Sequence, residues 1–248
     1  SCFLKERGIM NTIKIRHPHT KMIAHRGLSG LERENSAAAF IAAGNRSYFG
    51  TECDLHLSKD DVFVVCHDDN LKRVAGVDCL IRDTLLQDIK QIPLYEVRST
   101  VVKDYLRVPT LLEYLEISQK YQKCCVIEIK PELTMTQTKA LLTEIRNFGY
   151  LHQVIFISFR FANLEKLSQL DSSLRLQFLT SKITEEVINK CINLKISLDA
   201  NYQSLTFEHV KAFQNAGLEV NVWTVDDVKV ARKLIRWGVD YITTNILE

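Results

Sequence analysis

From Lys21 onward, short apolar runs alternate with stretches in which apolar residues recur every three or four positions. That is the rhythm of buried strands and amphipathic helices in regular succession. Met22–His25 opens the series as a strand, followed by a helix over Ser36–Asn45. Phe49–Leu57 and Val62–His67 read as two strands joined by the turn-prone Ser58-Lys59-Asp60-Asp61, and hence as a hairpin. A helix at Thr110–Tyr121, with Leu111, Leu112, Leu115 and Ile117 largely on one face, leads to a strand at Cys124–Ile129. The helix over Thr136–Phe148 is stopped by Gly149. The alternation continues with strands at Val154–Phe159, Leu174–Leu179, Lys195–Leu198, Val220–Thr224 and Tyr241–Thr243. Helices at Ala162–Leu170, Glu185–Cys191, Phe207–Ala216 and Asp227–Trp237 separate them.

Counting the hairpin as one unit gives eight strand positions and seven intervening helices, the repeat of an α/β TIM (β/α)8 barrel. A doubly wound open sheet is the alternative; its first turn more naturally carries a glycine-rich loop, where this chain has His25-Arg26-Gly27. Asp68–Pro109 breaks the rhythm, with only a weak helical signal at Leu85–Ile92, and is expected to be a small inserted subdomain capping one end of the barrel. The barrel domain is thus placed at residues 22–248, with 1–21 as an N-terminal extension.

Composition changes this picture little. The formal charge of +2 is too small, and the basic residues too dispersed, for nucleic acid to be the expected partner. No apolar run approaches the length of a membrane span, and the first 21 residues lack the apolar core of a signal peptide. Seven cysteines without a C-x-x-C pair read as small buried hydrophobes in a reducing compartment, so the cytoplasm is the expected location.

Candidate chemistry collects at strand ends. Residues two apart on a strand share a side, so Glu52 projects with Asp54, and Glu128 with Lys130. Carboxylates ending apolar strands need compensation, either from bases such as Arg26 and Lys130 or from a hard divalent cation, for which Mg²⁺ or Ca²⁺ suits oxygen ligands better than zinc. His25 and His67 close neighbouring strands beside Arg26 and Asp68. Imidazoles move protons near neutral pH, and Arg26 and Lys130 can hold a phosphate. Two histidines, two cations and an acidic cluster suit attack on a phosphodiester.

In order along the chain stand Ile23-Ala24-His25-Arg26-Gly27, Glu34-Asn35-Ser36, Glu52-Cys53-Asp54, Val65-Cys66-His67-Asp68 and Asn70-Leu71-Lys72-Arg73. Val108-Pro109-Thr110-Leu111, Glu128-Ile129-Lys130, Ser158-Phe159, Val222-Trp223-Thr224-Val225 and Gly238-Val239-Asp240 to Thr244 follow. Together they resemble the glycerophosphodiester phosphodiesterase family over about residues 22–248. The resemblance implies a TIM barrel with an insertion after His67 and one divalent cation on Glu52, Asp54 and Glu128. It implies an acid–base pair of His25 and His67, with Arg26 and Lys130 on the phosphate and Trp223 and Phe159 lining the substrate pocket. The implied substrates are small glycerophosphodiesters and the products sn-glycerol 3-phosphate and an alcohol. A lysophospholipid-directed relative and a non-catalytic phosphodiester-binding barrel are the alternatives. The chain departs from the family pattern at Ser36, Ser58 and Asp61, and Asn245-Ile246-Leu247 replaces an Asp-x-Pro ending, leaving that last turn open.

Overall fold

In the computed structural model, which describes residues 10–248, buried apolar strands and amphipathic helices alternate as the sequence pattern requires. Strand β1 (Lys21–Ala24) leads to α1 (Ala37–Gly44), whose first turn is capped by Ser36 Oγ accepting from Ala39 N–H. Strand β2 (Gly50–Leu57) folds back as a hairpin into β3 (Phe63–Val65). The turn between them places Asp61 at a φ of 57°, a left-handed geometry that aspartate tolerates.

The insertion carries α2 (Lys72–Ala75), α3 (Leu86–Ile89) and a hairpin of β4 (Leu94–Tyr95) with β5 (Val102–Lys103). The hairpin strands are two residues each, too short for a period-two pattern to show in the sequence. The insertion has its own core, in which Leu71, Val74, Ile81, Ile89, Leu94 and Leu106 pack against Val64 of β3.

The regular succession then resumes. Helix α4 (Leu111–Lys120), capped by a Thr110–Glu113 capping box, precedes β6 (Cys124–Ile129). After it come α5 (Met135–Phe148), β7 (Val154–Ser158), α6 (Phe161–Leu170) and β8 (Arg175–Thr180). The chain continues through α7 (Glu185–Leu194), β9 (Ser197–Asn201), α8 (Phe207–Asn215), β10 (Val220–Trp223), α9 (Val228–Trp237) and β11 (Tyr241–Thr244).

Eight of these strands run parallel in the order β1-β2-β6-β7-β8-β9-β10-β11, and β1 pairs with both β2 and β11. The sheet therefore closes on itself, a TIM barrel and not the open sheet that stood as the alternative. Two apolar shells lie between strands and helices. One centres on Phe40, Tyr114, Phe156 and Leu141, the other on Val210, Phe213, Val222 and Leu234. Inside the barrel a smaller cluster of Ile23, Val126, Ile155, Ile157, Leu179 and Tyr241 fills the floor.

Several boundaries differ from those read in the sequence. Helix α7 runs on to Leu194, and Lys195 at its end adopts a left-handed φ of 54°. The following strand therefore spans Ser197–Asn201 and not Lys195–Leu198, which brings Asp199 into the barrel wall. Strands β1, β3 and β7 stop short of His25, His67 and Phe159, leaving these side chains on the loops that rim the C-terminal face.

Candidate active site

Hairpin geometry explains how the two halves of the acidic cluster meet His67. Strand β2 presents Glu52 and Asp54 to the barrel interior, and its neighbour β6 places Glu128 in register with Asp54. Because β3 returns antiparallel to β2, Cys66 N–H donates to the Asp54 carbonyl at 3.0 Å, and His67 arrives beside the same residue.

Oxygens of Glu52, Asp54 and Glu128 all lie within 4.8 Å of one another, and the three residues are buried. Burial and the charges of Asp54 and Glu128 push the Glu52 carboxyl well above the usual carboxylate range. Burial and Asp54 raise Glu128 to about 8, with Lys130 opposing. Burial works in the same direction on Asp54, but Arg26, His67, Lys130 and the amide of Asn35 outweigh it and hold that carboxyl low.

The bases are held by the acids. Arg26 Nε lies 3.5 Å from Asp54 Oδ2, its Nη1 donates to Glu34 at 2.9 Å, and Lys130 Nζ reaches Glu128 at 3.1 Å. Arg26 itself sits at a left-handed φ of 55°, and its backbone N–H donates to Glu52 Oε2 at 2.8 Å. The turn continues at Gly27, φ 74°, where an added Cβ would lie 2.7 Å from the backbone of Ala39. Such strain is sustained only where surrounding contacts fix it.

Arg73 extends the network by bonding both Glu34 and Asp68, and Asp68 accepts from His67 Nδ1 at 2.7 Å. Acids thus outnumber the fixed cations around the cluster, with Glu34, Glu52, Asp54, Asp68 and Glu128 set among Arg26, Arg73 and Lys130, and the two carboxyls pushed up, Glu52 and Glu128, are those left short of a base. A divalent cation on these oxygens would offset that shortage. Asp54 Oδ1 is buried without a hydrogen-bond partner, as a vacant ligand atom would be. The donor set is all oxygen, which fits a hard cation.

His25 is oriented from behind. Its Nδ1 lies 2.8 Å from Asn245 Oδ1, and Asn245 Nδ2 donates to Asp226 Oδ2 at 2.7 Å. An ionised carboxylate accepts only, so Asp226 fixes which end of the amide faces the ring. Nδ1 of His25 must then carry the proton, leaving the Nε2 lone pair directed toward Glu52, 4.0 Å away. Burial, then Arg26, lowers the His25 pKa to about 4, against the Asn245 hydrogen bond, so the ring is neutral at neutral pH.

His25, Arg26, Glu52, His67, Glu128 and Lys130 share a cavity of about 220 Å³ that is also lined by Ile157, Phe159, Leu179, Asp199, Trp223 and Thr243. Phe159 meets Trp223 edge-on with centroids 5.7 Å apart, and Trp223 Nε1 donates to the Asp199 backbone carbonyl at 3.1 Å. A larger groove of about 480 Å³ shares His67 and Lys130 and leads outward past Asp69, Arg82, Glu132 and Arg160.

The sequence profile of the glycerophosphoryl diester phosphodiesterase family matches residues 25–248, the stretch that carries every one of these groups. This chain belongs to that family. A glycerophosphodiester phosphodiesterase of Caldanaerobacter subterraneus subsp. tengcongensis is 28% identical over 91% of this chain and 94% of its own length. A solved phosphodiesterase of Oleispira antarctica, in complex with the product sn-glycerol-3-phosphate, superposes with a TM-score of 0.83 at 26% identity, over 91% of this chain and 92% of that one. Lysophospholipase D GDPD1 of Homo sapiens is 34% identical over 45% of this chain and 29% of its own length.

The structure brings all nine sequence-derived site residues of this family member to one face of the barrel, Phe159 at its exposed rim. Asn35, Asp226, Asn245 and Asp199 were not singled out as site residues. Asn35 donates to Asp54 at 2.8 Å from a left-handed turn, and its position in Glu34-Asn35-Ser36 was the one available signal. Asn245, where the chain leaves the family pattern, turns out to hold His25. No helix is long and apolar enough to cross a membrane among the described residues.

Proposed function

We propose that this protein hydrolyses glycerophosphodiesters to sn-glycerol 3-phosphate and an alcohol, using one divalent cation, Mg²⁺ or Ca²⁺, on Glu52, Asp54 and Glu128. The observation that carries this reading is the three-carboxylate cluster within 4.8 Å, set in one cavity with two imidazoles and two cations. The cation, when bound, supplies Lewis-acid stabilisation of charge on the phosphoryl oxygens.

Arg26 and Lys130, both at the edge of the cluster, hold the remaining phosphoryl oxygens once the acids are shared with the cation. His25 Nε2, with its lone pair free, takes the proton of the attacking hydroxyl as the new P–O bond forms. His67, anchored through Nδ1 to Asp68, gives the proton at Nε2 to the departing alkoxide as the old P–O bond breaks. The Asp68 carboxylate accepts from Nδ1 whether the ring is neutral or cationic, so His67 can lose and regain that proton. The groove that begins at His67 is the exit for the alcohol. The nucleophile is water directly, or the glycerol 2-hydroxyl with water opening the cyclic phosphate afterwards.

A second reading, a substrate that keeps one acyl chain, is supported by the named activity of the human relative and by Val101, Val102 and Tyr105, exposed on the insertion. The cytoplasm is the proposed compartment, supported by the six cysteines among the described residues, all free and buried. An assay of the released alcohol, choline or ethanolamine, which every candidate substrate yields, decides between them, run on glycerophosphocholine, glycerophosphoethanolamine and lysophosphatidylcholine with Mg²⁺, Ca²⁺ and Mn²⁺ compared. Release from the deacylated diesters is expected; turnover of lysophosphatidylcholine alone would favour the second reading, and no turnover of any would remove both.

A further inference from the structure

The far side of the cavity holds a carboxyl that the proton transfers above do not use. Asp199 lies mid-strand in β9, is only 2% exposed, and lines the cavity opposite the acidic cluster. Its Oδ1 is buried with no hydrogen-bond partner. A buried polar atom left so costs about 1–3 kcal/mol, which a fold does not keep without a reason.

The surrounding groups do not supply one. Arg26 and Lys130 pair with Glu34, Asp54 and Glu128 instead. Asn221, the register neighbour of Asp199 on β10, turns its amide to Gln177 and Thr243. Asp199 also lies outside the 4.8 Å cluster of candidate metal ligands. Gln177 Nε2, held beside Asn221, is a nearby donor also without a partner, and the Asp199 carboxyl lines the cavity where a ligand can meet it.

The division of the walls says which end of the ligand comes here. The phosphate belongs with Arg26, Lys130 and the metal acids on the β1, β2 and β6 side, and the leaving alcohol with the groove beyond His67. Opposite them stand the rings of Phe159 and Trp223 with Leu179 and Ile157, beside the polar side chains of Asp199, Thr224 and Thr243. That composition suits a short polyol, its carbons against the aromatic rings and its hydroxyls on the polar atoms. The Trp223 indole is pinned to the backbone of Asp199 itself, so ring and carboxyl form one unit.

We infer that Asp199 reads the glycerol end of the substrate, its carboxyl taking a hydrogen bond from a free glycerol hydroxyl while Trp223 covers the carbon chain. This rests on the glycerophosphodiester reading and names the residue that separates glycerol from other alcohols. A hydrogen bond of this kind to a buried carboxyl is worth about 10- to 100-fold in affinity.

The test is calorimetric binding of sn-glycerol 3-phosphate and of n-propyl phosphate, which lacks both hydroxyls, to the metal-loaded protein. The unaltered protein is expected to prefer glycerol 3-phosphate by about tenfold or more. Asp199→Ala should bring the ratio close to one with propyl phosphate affinity unchanged, and Asp199→Asn, which keeps an acceptor, should recover part of it. Asp199→Leu, near in volume, serves where the alanine variant does not fold. No preference in the unaltered protein, or a full preference in the alanine or leucine variant, overturns the assignment. Failure of the unaltered protein to release glycerol 3-phosphate from any diester would instead remove the underlying substrate reading.

Discussion

The two sides of the cavity are held together by different forces. On the β1, β2 and β6 side nearly every polar atom has a charged or amide neighbour, and Asp54 alone meets Asn35, Arg26 and Lys130. On the β7 to β10 side the walls are mainly apolar, with Asp199 as their one carboxyl, and the aromatic rings are fixed by an edge-on contact and an indole hydrogen bond. A cross-linked set of charges suits stabilisation of charge that develops during reaction, because it need not reorganise. A shaped apolar wall distinguishes substrates before reaction begins. Changes on the first side should therefore register in kcat, and changes on the second in KM.

The largest break in that contrast should come from His25→Ala or His67→Ala. Each is expected to lower kcat by about 10²–10⁴ while far-UV circular dichroism and Tm stay near those of the parent, read by glycerol 3-phosphate release. Smaller but more pointed is Asp226→Asn. Without the carboxylate the Asn245 amide keeps only Ser29 Oγ, a hydroxyl that can donate or accept, to orient it, and a drop of about 10- to 100-fold in kcat/KM with a changed pH–rate profile is expected. The double exchange Asp226→Asn with Asn245→Asp returns an acceptor to His25 Nδ1 and should recover much of the loss; no recovery would argue that the pair only supports the fold.

On the aromatic side, Trp223→Ala should raise KM for glycerophosphodiesters about tenfold and leave kcat within a few-fold. A fall confined to kcat would erase the distinction between the two sides.

The smallest effect expected lies outside both. Burial opposes ionisation of Glu248, yet hydrogen bonds from Lys14, Thr12 and Ser47 hold its pKa down at about 2. A depressed acid stabilises the fold above its ordinary range, and that stability is lost as pH falls through the folded value. Glu248→Gln should thus lower Tm by a few degrees near neutral pH, measured by calorimetry, with the gap closing as pH falls from about 4.5 toward about 2. Turnover should not change.

The charged side was legible in the sequence because polar side chains interrupt apolar runs, His25 just after β1 and Lys130 just after β6, with Glu52 and Asp54 two apart on β2; these two lie mid-strand and not at its end, their interior-facing side set by the two-residue period. The barrel was legible for the same reason, since all-buried parallel strands leave few other places for such residues. Asp199 was hidden because Lys195 adopts a left-handed conformation that no local pattern announces, which displaced the strand boundary by two to three residues. Asn245 and Asp226 act through a side-chain chain between two loops, and a contact of that kind has no periodicity to reveal it. The inserted subdomain was visible only as an interruption, its short helices and two-residue strands being held by tertiary packing in their own small core.

The most direct measurement is the rate of glycerol 3-phosphate release from glycerophosphocholine by metal-stripped protein as Mg²⁺ or Ca²⁺ is titrated back. The expected result is a background rate without metal and a saturable recovery with one of the two ions, absent in Glu128→Gln. A full rate after stripping, unchanged by either ion and retained in that variant, would contradict a metal site on Glu52, Asp54 and Glu128.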